Sequence, residues 1–179
     1  MRVFVDFRYR TAQGGELFRE WRETFAALEA LAPDWELTLW DKGREEESYL
    51  DPQGWRQHFF VPHLWEEAHP ALIHLTSLWA PYRAPGFYLV NAYKEEWSAL
   101  QASRGGRLYW RYLVRPLWRR SSLILVDDPQ WLPALALELD VAPERLALWA
   151  GGSPPSQRAK RLLELYRRAI LPPPKRSRG

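Results

Sequence analysis

Arg107, Arg111, Arg115 and Arg119 recur at every fourth position. On an α-helix that spacing sets four guanidinium groups along one slowly drifting stripe, with Trp110, Leu113, Val114 and Leu117 on another side. Guanidinium groups select phosphate, so the stripe is a candidate grip for a lipid headgroup, a polyprenyl phosphate or nucleic acid; the other reading is a solvated face, with Pro116 disturbing its register. Gly14-Gly15, just after Arg8 and Arg10, stands ahead of a helical pattern. Glycine tolerates positive φ and lets a ligand approach the backbone, and a helix start offers unpaired N–H groups to an anion; a tight turn needs the same glycines without any ligand. Asp127-Asp128 close an aliphatic run, where ligands of open α/β sheets bind, yet Asp128 before Pro129 also reads as a helix cap. His58, His63, His69 and His74 are five or six residues apart, unlike the i, i+4 pairs that hold zinc. No metal site and no cofactor are expected. His74, at the end of a short apolar run, reads either as a ligand contact or as a hydrogen-bonded structural residue.

Composition removes other chemistry. The chain has no cysteine, so thiol nucleophiles, thiolate metal sites and disulfides are excluded. Its 179 residues, 46% of them hydrophobic, suit a single core. Neither a signal peptide nor a membrane-spanning stretch is legible, so a cytoplasmic location is expected, with peripheral membrane contact through the arginine stripe as a variant. Arginine dominates the basic residues, Asn91 is the one asparagine and proline is frequent, a bias that fits a thermophile or a GC-rich genome. The net charge of +3 is modest for a nucleic-acid binder.

Hydrophobic periodicity supplies the elements that would position these residues. Strands are read at residues 3–6, 35–40, 72–75, 87–90, 123–126 and 146–149, and helices at 16–31, 108–120, 129–139 and 156–170. Residues 42–47 read as a charged turn, 80–86 as a proline-containing loop, and 51–70 as a mixture of helix and irregular loop. Apolar strands alternating with helices imply a mostly parallel sheet covered on both faces, a Rossmann-like three-layer α/β sandwich. Trp110, Trp118, Trp131 and Trp149 sit in apolar patterns and are assigned to the core. Trp79, Tyr82, Tyr93 and Trp97 flank loops and are better placed to stack on a ligand.

In this order the segments resemble the N-terminal domain of GT-B glycosyltransferases, in particular retaining family 4. Asp6-Phe7-Arg8 resembles that family's first strand, Gly14-Gly15 its glycine turn, and Ile73-His74 its strand ending in histidine. Residues 107–126 resemble its helix followed by a strand, residues 140–146 its loop before the interdomain linker, and residues 159–168 its terminal helix. The resemblance implies a glycosyltransferase-like domain over 1–155, a helix packing back on it over 156–170, and a basic proline-rich tail over 171–179. It makes Arg8, Arg10, Gly14, Gly15, His74, Asn91 and Asp127 candidates for ligand contact. Asn91-Ala92 stands where the family commonly has His-Asp, which removes acid–base chemistry from both positions. The family's nucleotide-sugar half has no counterpart in these residues, so independent transfer is not expected.

What the resemblance implies is a degenerate glycosyltransferase-like domain that binds an acceptor-type ligand or a partner. Loops at 10–15, 79–86, 91–97 and 150–155 would form the surface that faces the family's second domain, and apolar groups there would favour a partner protein or a second copy. Two other readings stand beside it. One is binding of nucleic acid or anionic lipid through the arginine helix and the 175–178 tail; the other is a transferase active only as an oligomer or with a partner chain.

Overall fold

The computed structural model describes residues 1–8, 15–40, 57–79, 81, 83–149 and 151–171. Six strands form one sheet: β1 (Arg2–Asp6), β2 (Glu36–Trp40), β3 (Leu72–Leu75), β4 (Tyr88–Ala92), β5 (Leu123–Val126) and β6 (Leu146–Leu148). Their spatial order is β2-β1-β3-β4-β5-β6, and every pairing is parallel. Parallel neighbours need crossovers, and between most of them helices supply these: α1 (Gly15–Leu31), α2 (Gln57–Ala68), α3 (Lys94–Gln101), α4 (Arg104–Tyr109), α5 (Arg115–Arg120) and α6 (Leu132–Leu139), with α7 (Pro155–Ala169) following β6; β3 and β4 are the exception, since the described residues between them form no helix. This is the Rossmann-like three-layer sandwich.

Period-two alternation divides the sheet between two cores. Val3, Val5, Leu72, Leu89, Leu123 and Leu125 face α1 and α7, where they meet Trp21, Phe25, Leu162 and Tyr166. Ile73, Leu75, Val90, Ile124 and Val126 face the other layer and pack on Trp65 of α2, Leu117 and Trp118 of α5, and Leu135 of α6. With both faces covered, β3, β4 and β5 are buried along their whole length, which is why β5 reads as an unbroken apolar run and β3 and β4 as runs interrupted by His74 and Asn91.

Three stretches differ from the sequence reading. Residues 91–97, expected as a loop, are the end of β4 and the start of α3. Tyr93 at the N-cap has no capping side chain; the Lys94 N–H donates instead to Asp127 Oδ1 at 3.3 Å, a cap supplied by the segment after β5. The helix expected at 108–120 begins earlier, at Arg104, where the Ser103 hydroxyl accepts from the Gly106 N–H at 2.9 Å. It runs through a π-turn (Trp110–Val114) in which the Arg115 N–H reaches the Trp110 carbonyl. Pro116 explains the turn: it lacks an N–H and its ring would strike the carbonyl four residues back, so one wider turn relieves the clash. The helix expected from residue 129 starts at Leu132, because Asp128 Oδ1 accepts from the Gln130 N–H at 2.8 Å and holds 129–131 as a turn. The charged turn at 42–47 lies outside the described residues. No described helix is long and apolar enough to cross a membrane.

Candidate functional site

In a sheet of this order the crevice opens where strand order reverses, between β1 and β3. There the described side chains engage one another. Asp6, the last residue of β1, takes a two-point ion pair from Arg8, Nε to Oδ1 at 2.9 Å and Nη2 to Oδ2 at 2.7 Å. The Arg8 guanidinium also lies 4.1 Å from the centre of the Trp40 ring, and the Thr76 hydroxyl donates to the Asp6 carbonyl. An open space lies further along the sheet. A cleft of about 810 Å³ sits over the carboxyl ends of β3 to β6, and the segment after each of those strands contributes to it: Trp79, Tyr93, Asp127, and Trp149 with Gly151.

The two helical layers form the walls. Leu17 and Glu20 come from α1; Glu95 and Glu96 from α3; Gly105, Gly106 and Tyr109 from α4. Gly106 is required by packing, since a Cβ there would lie 1.9 Å from the Leu100 carbonyl oxygen. A Cβ on Gly105 would meet nothing within 4 Å. Aromatic surfaces are fixed by one another: Trp79 lies 5.2 Å from the Tyr109 ring, and Trp149 stacks on Trp21 at 4.3 Å. Burial pushes the Tyr109 phenol well above its ordinary range, so it stays neutral.

The charged residues on the cleft wall are Glu20, Glu95, Glu96 and Asp127, and no Lys or Arg lines it among the described residues. Glu20 Oε1 is 3.7 Å from Arg158 Nη1 and accepts from the Gly152 N–H. Glu96 Oε2 accepts from the Leu78 N–H at 3.3 Å. Enclosure raises the Asp127 carboxyl above its ordinary range, opposed by the Lys94 N–H and assisted by the neighbouring Asp128 carboxylate. Asp128 is held low by its contact with Lys94 Nζ at 2.6 Å.

Beneath the cleft runs a buried polar chain. Asn91 Oδ1 faces His74 Nε2 at 3.0 Å, so Nε2 carries the proton; Nδ1 then accepts from the Tyr166 hydroxyl at 2.6 Å. Asn91 Nδ2 donates to the Tyr93 hydroxyl, which also accepts from Trp21 Nε1 at 2.6 Å. His74 is fully buried, and desolvation lowers its pKa to about 4. The chain links α7, two strands and α1, and its last hydroxyl belongs to a cleft residue.

The sequence candidates are therefore dispersed. Asp127 lines the cleft, while His74 and Asn91 lie under it and Arg8 is buried in its ion pair with Asp6. Gly15 adopts φ +82°, which accounts for glycine at the start of α1 by backbone geometry alone. Gly14 and Arg10 lie outside the described residues, as does Tyr82. Two arginines of the stripe meet the carboxyl end of α6. Arg115 donates from Nε and Nη2 to the Glu138 carbonyl at 3.0 and 2.8 Å, and Arg119 reaches Asp140 Oδ2 at 2.9 Å. Arg107 donates to the Gln101 carbonyl, and Arg111 lies 5.6 Å from the Tyr112 ring centre. Unpaired carbonyls and the negative end of the helix dipole attract the Arg115 and Arg119 cations there.

Of the aromatic residues expected to stack on a ligand, Trp79 and Tyr93 reach the cleft, whereas Trp97 packs between Trp110 and Trp131. Trp149 is both core and cleft wall. Sequence reasoning missed Glu95, Glu96 and Tyr109; for the two glutamates the acidic pair itself, in the first turn of α3, was the one local cue. It also missed buried Arg158, which donates to Thr24 Oγ1 at 2.8 Å, to the carbonyls of Glu20 and Ser153, and to Glu23 at 3.3 Å.

The fold and cleft define a doubly wound α/β domain with an acidic, aromatic-walled crevice at the carboxyl edge of its sheet. No protein-family model matches the chain, and no curated protein is significantly similar to it.

Proposed function

We propose that this chain is a ligand-binding domain of glycosyltransferase-like type, which holds a small acceptor-type ligand in the cleft over β3 to β6 and does not transfer a sugar by itself. The observation that carries the reading is the cleft. Its volume falls in the range of small-molecule sites, and it presents aromatic faces beside carboxylates and hydroxyls, the combination that stacks on and hydrogen-bonds a polyhydroxylated ring. Two features argue against catalysis by this domain. The cleft wall offers no described cation to a donor diphosphate. Asn91, standing where the resembled family has a proton-transferring histidine, is engaged through both amide atoms by His74 and Tyr93. Anion binding through Arg107, Arg111, Arg115 and Arg119 has less support, since three of these already donate within the chain.

The test is calorimetric titration of the full chain with a panel of mono- and disaccharides and with nucleotide sugars, repeated on Gly105→Phe. That substitution projects a ring into open space at the cleft wall. Saccharide binding that disappears in Gly105→Phe while the melting temperature holds is the expected result. Sugar transfer by the chain alone, or binding indifferent to the substitution, would overturn the proposal.

A further inference from the structure

We infer that the cleft selects ligands carrying an organic cation, an amine or a guanidinium group, over neutral or anionic molecules of the same shape. The inference rests on the cleft being the ligand site and adds the charge class of what it takes. It starts from a segregation of charge. The chain as a whole is basic, with 25 Lys and Arg against 22 Asp and Glu, yet every charged residue described on the cleft wall is a carboxylate. Two neighbouring cations have partners of their own: Lys94 Nζ is on Asp128 at 2.6 Å, and Arg158 is on the α1 groups Thr24, Glu20 and Glu23. Arg158 offsets the Glu20 charge. Glu96 and Asp127 accept from the backbone N–H groups of Leu78 and Lys94, contacts that leave their negative charge in place.

The arrangement suits an organic cation better than a metal ion. Among the described residues, no three His, Cys, Asp or Glu side chains converge on a point as metal ligands. The carboxylates are instead spread along α1, α3 and the segment after β5, facing a space of about 810 Å³. Trp79, Tyr109, Tyr93 and Trp149 supply the aromatic surface between them. An ammonium or guanidinium group gains from both kinds of wall, by Coulomb attraction to the carboxylates and by cation–π contact with the rings. A phosphate or carboxylate ligand meets repulsion, with no described cation on the wall to answer it. The raised Asp127 carboxyl agrees with a carboxylate partly screened from water, with Asp128 beside it adding to the rise.

Matched pairs differing in one charged group test this directly: glucosamine with glucose, and putrescine with butanediol, with glucose 6-phosphate as the anionic member. Each is titrated into the full chain at low and moderate salt. The amine of each pair is expected to bind about tenfold tighter than its neutral partner at low salt, a preference that shrinks as salt screens it. Glu95→Gln and Glu96→Gln should each reduce the preference severalfold, whereas Glu29→Gln on the exposed surface of α1 should leave it unchanged. Glucose binding as tightly as glucosamine, and lost in Gly105→Phe, would overturn the charge class while leaving the proposed function standing. Preference for glucose 6-phosphate over glucose would do the same. If no member binds in these titrations and the saccharide panel also fails, both proposals fall.

Discussion

His74 shows how one residue can hold a fold and tie it to pH. The imidazole is neutral because burial lowers its pKa from about 6.5 to about 4. Between those values the unfolded chain binds a proton that the folded chain refuses. The stability contributed by the neutral ring is therefore fully present above about pH 6.5 and is lost as pH falls through 4, an effect of roughly 3 kcal/mol. Urea unfolding at pH 7 and pH 4 should show that loss. His74→Leu should be less stable at neutral pH, because Asn91 and Tyr166 lose their partner, but should show a smaller decline between the two pH values. An equally steep decline in His74→Leu would place the acid sensitivity elsewhere. Tyr166→Phe, which leaves Nδ1 without its donor, should cost about 1–2 kcal/mol in the same measurement. Asp127 carries the opposite sign: its raised carboxyl binds a proton better folded than unfolded, so its contribution declines as pH rises past the ordinary carboxylate range. Asp127→Asn keeps an oxygen for the Lys94 N–H and removes the enclosed charge. It should be no less stable than the parent at pH 7 by thermal melting, while binding amines more weakly.

At the scale of elements, α3 and α4 frame the cleft and meet at Gly106. A methyl group there would overlap the Leu100 carbonyl, so Gly106→Ala should destabilise by about 2–4 kcal/mol or push the two helices apart. Gly105→Ala, one residue away in open space, should be neutral or stabilising by up to about 1 kcal/mol through helix propensity. Thermal melts of the pair distinguish a packing requirement from a general dislike of substitution. The same segment marks where legibility in the sequence ends. The strands were readable because each is an apolar or alternating run bounded by punctuation, and the helices over 15–31 and 155–169 because their apolar stripes run several turns. The short helix at 94–101 was not readable, because its cap is a carboxylate 33 residues away. The π-turn at 110–114 follows from Pro116, whose disturbance of the helix was foreseeable, although the form it took was not. In the cleft, Asp127, Trp79 and Tyr93 were legible from their places after strands. Glu95, Glu96 and Tyr109 were not, since which face of a short helix turns to the crevice depends on packing that no local pattern encodes.

Over the whole molecule, α1 and α7 lie side by side on one face of the sheet and are fastened by Arg158, buried between them. Arg158→Met removes five described contacts and leaves the Glu20 and Glu23 carboxylates without their cation, so a cost of about 3–5 kcal/mol in unfolding free energy is expected. Arg158→Lys restores charge without the fork that reaches Thr24 and two carbonyls, and should recover less than half of that loss. Full recovery by lysine would mean that charge alone matters. The pairing of these two helices also sets an order of events during synthesis. Thr24 and Arg158 are 134 positions apart, so the apolar face made by β1, β3, β4 and β5 emerges from the ribosome long before the helix that seals it. Until residues 155–169 arrive, Val3, Val5, Leu72, Leu89 and Leu123 have only α1 for cover, and a stalled or truncated chain presents an adhesive surface to its neighbours. Yield of this protein in a heterologous host should therefore respond more to translation speed and chaperone supply up to the completion of residues 155–169 than to the stability of the finished fold.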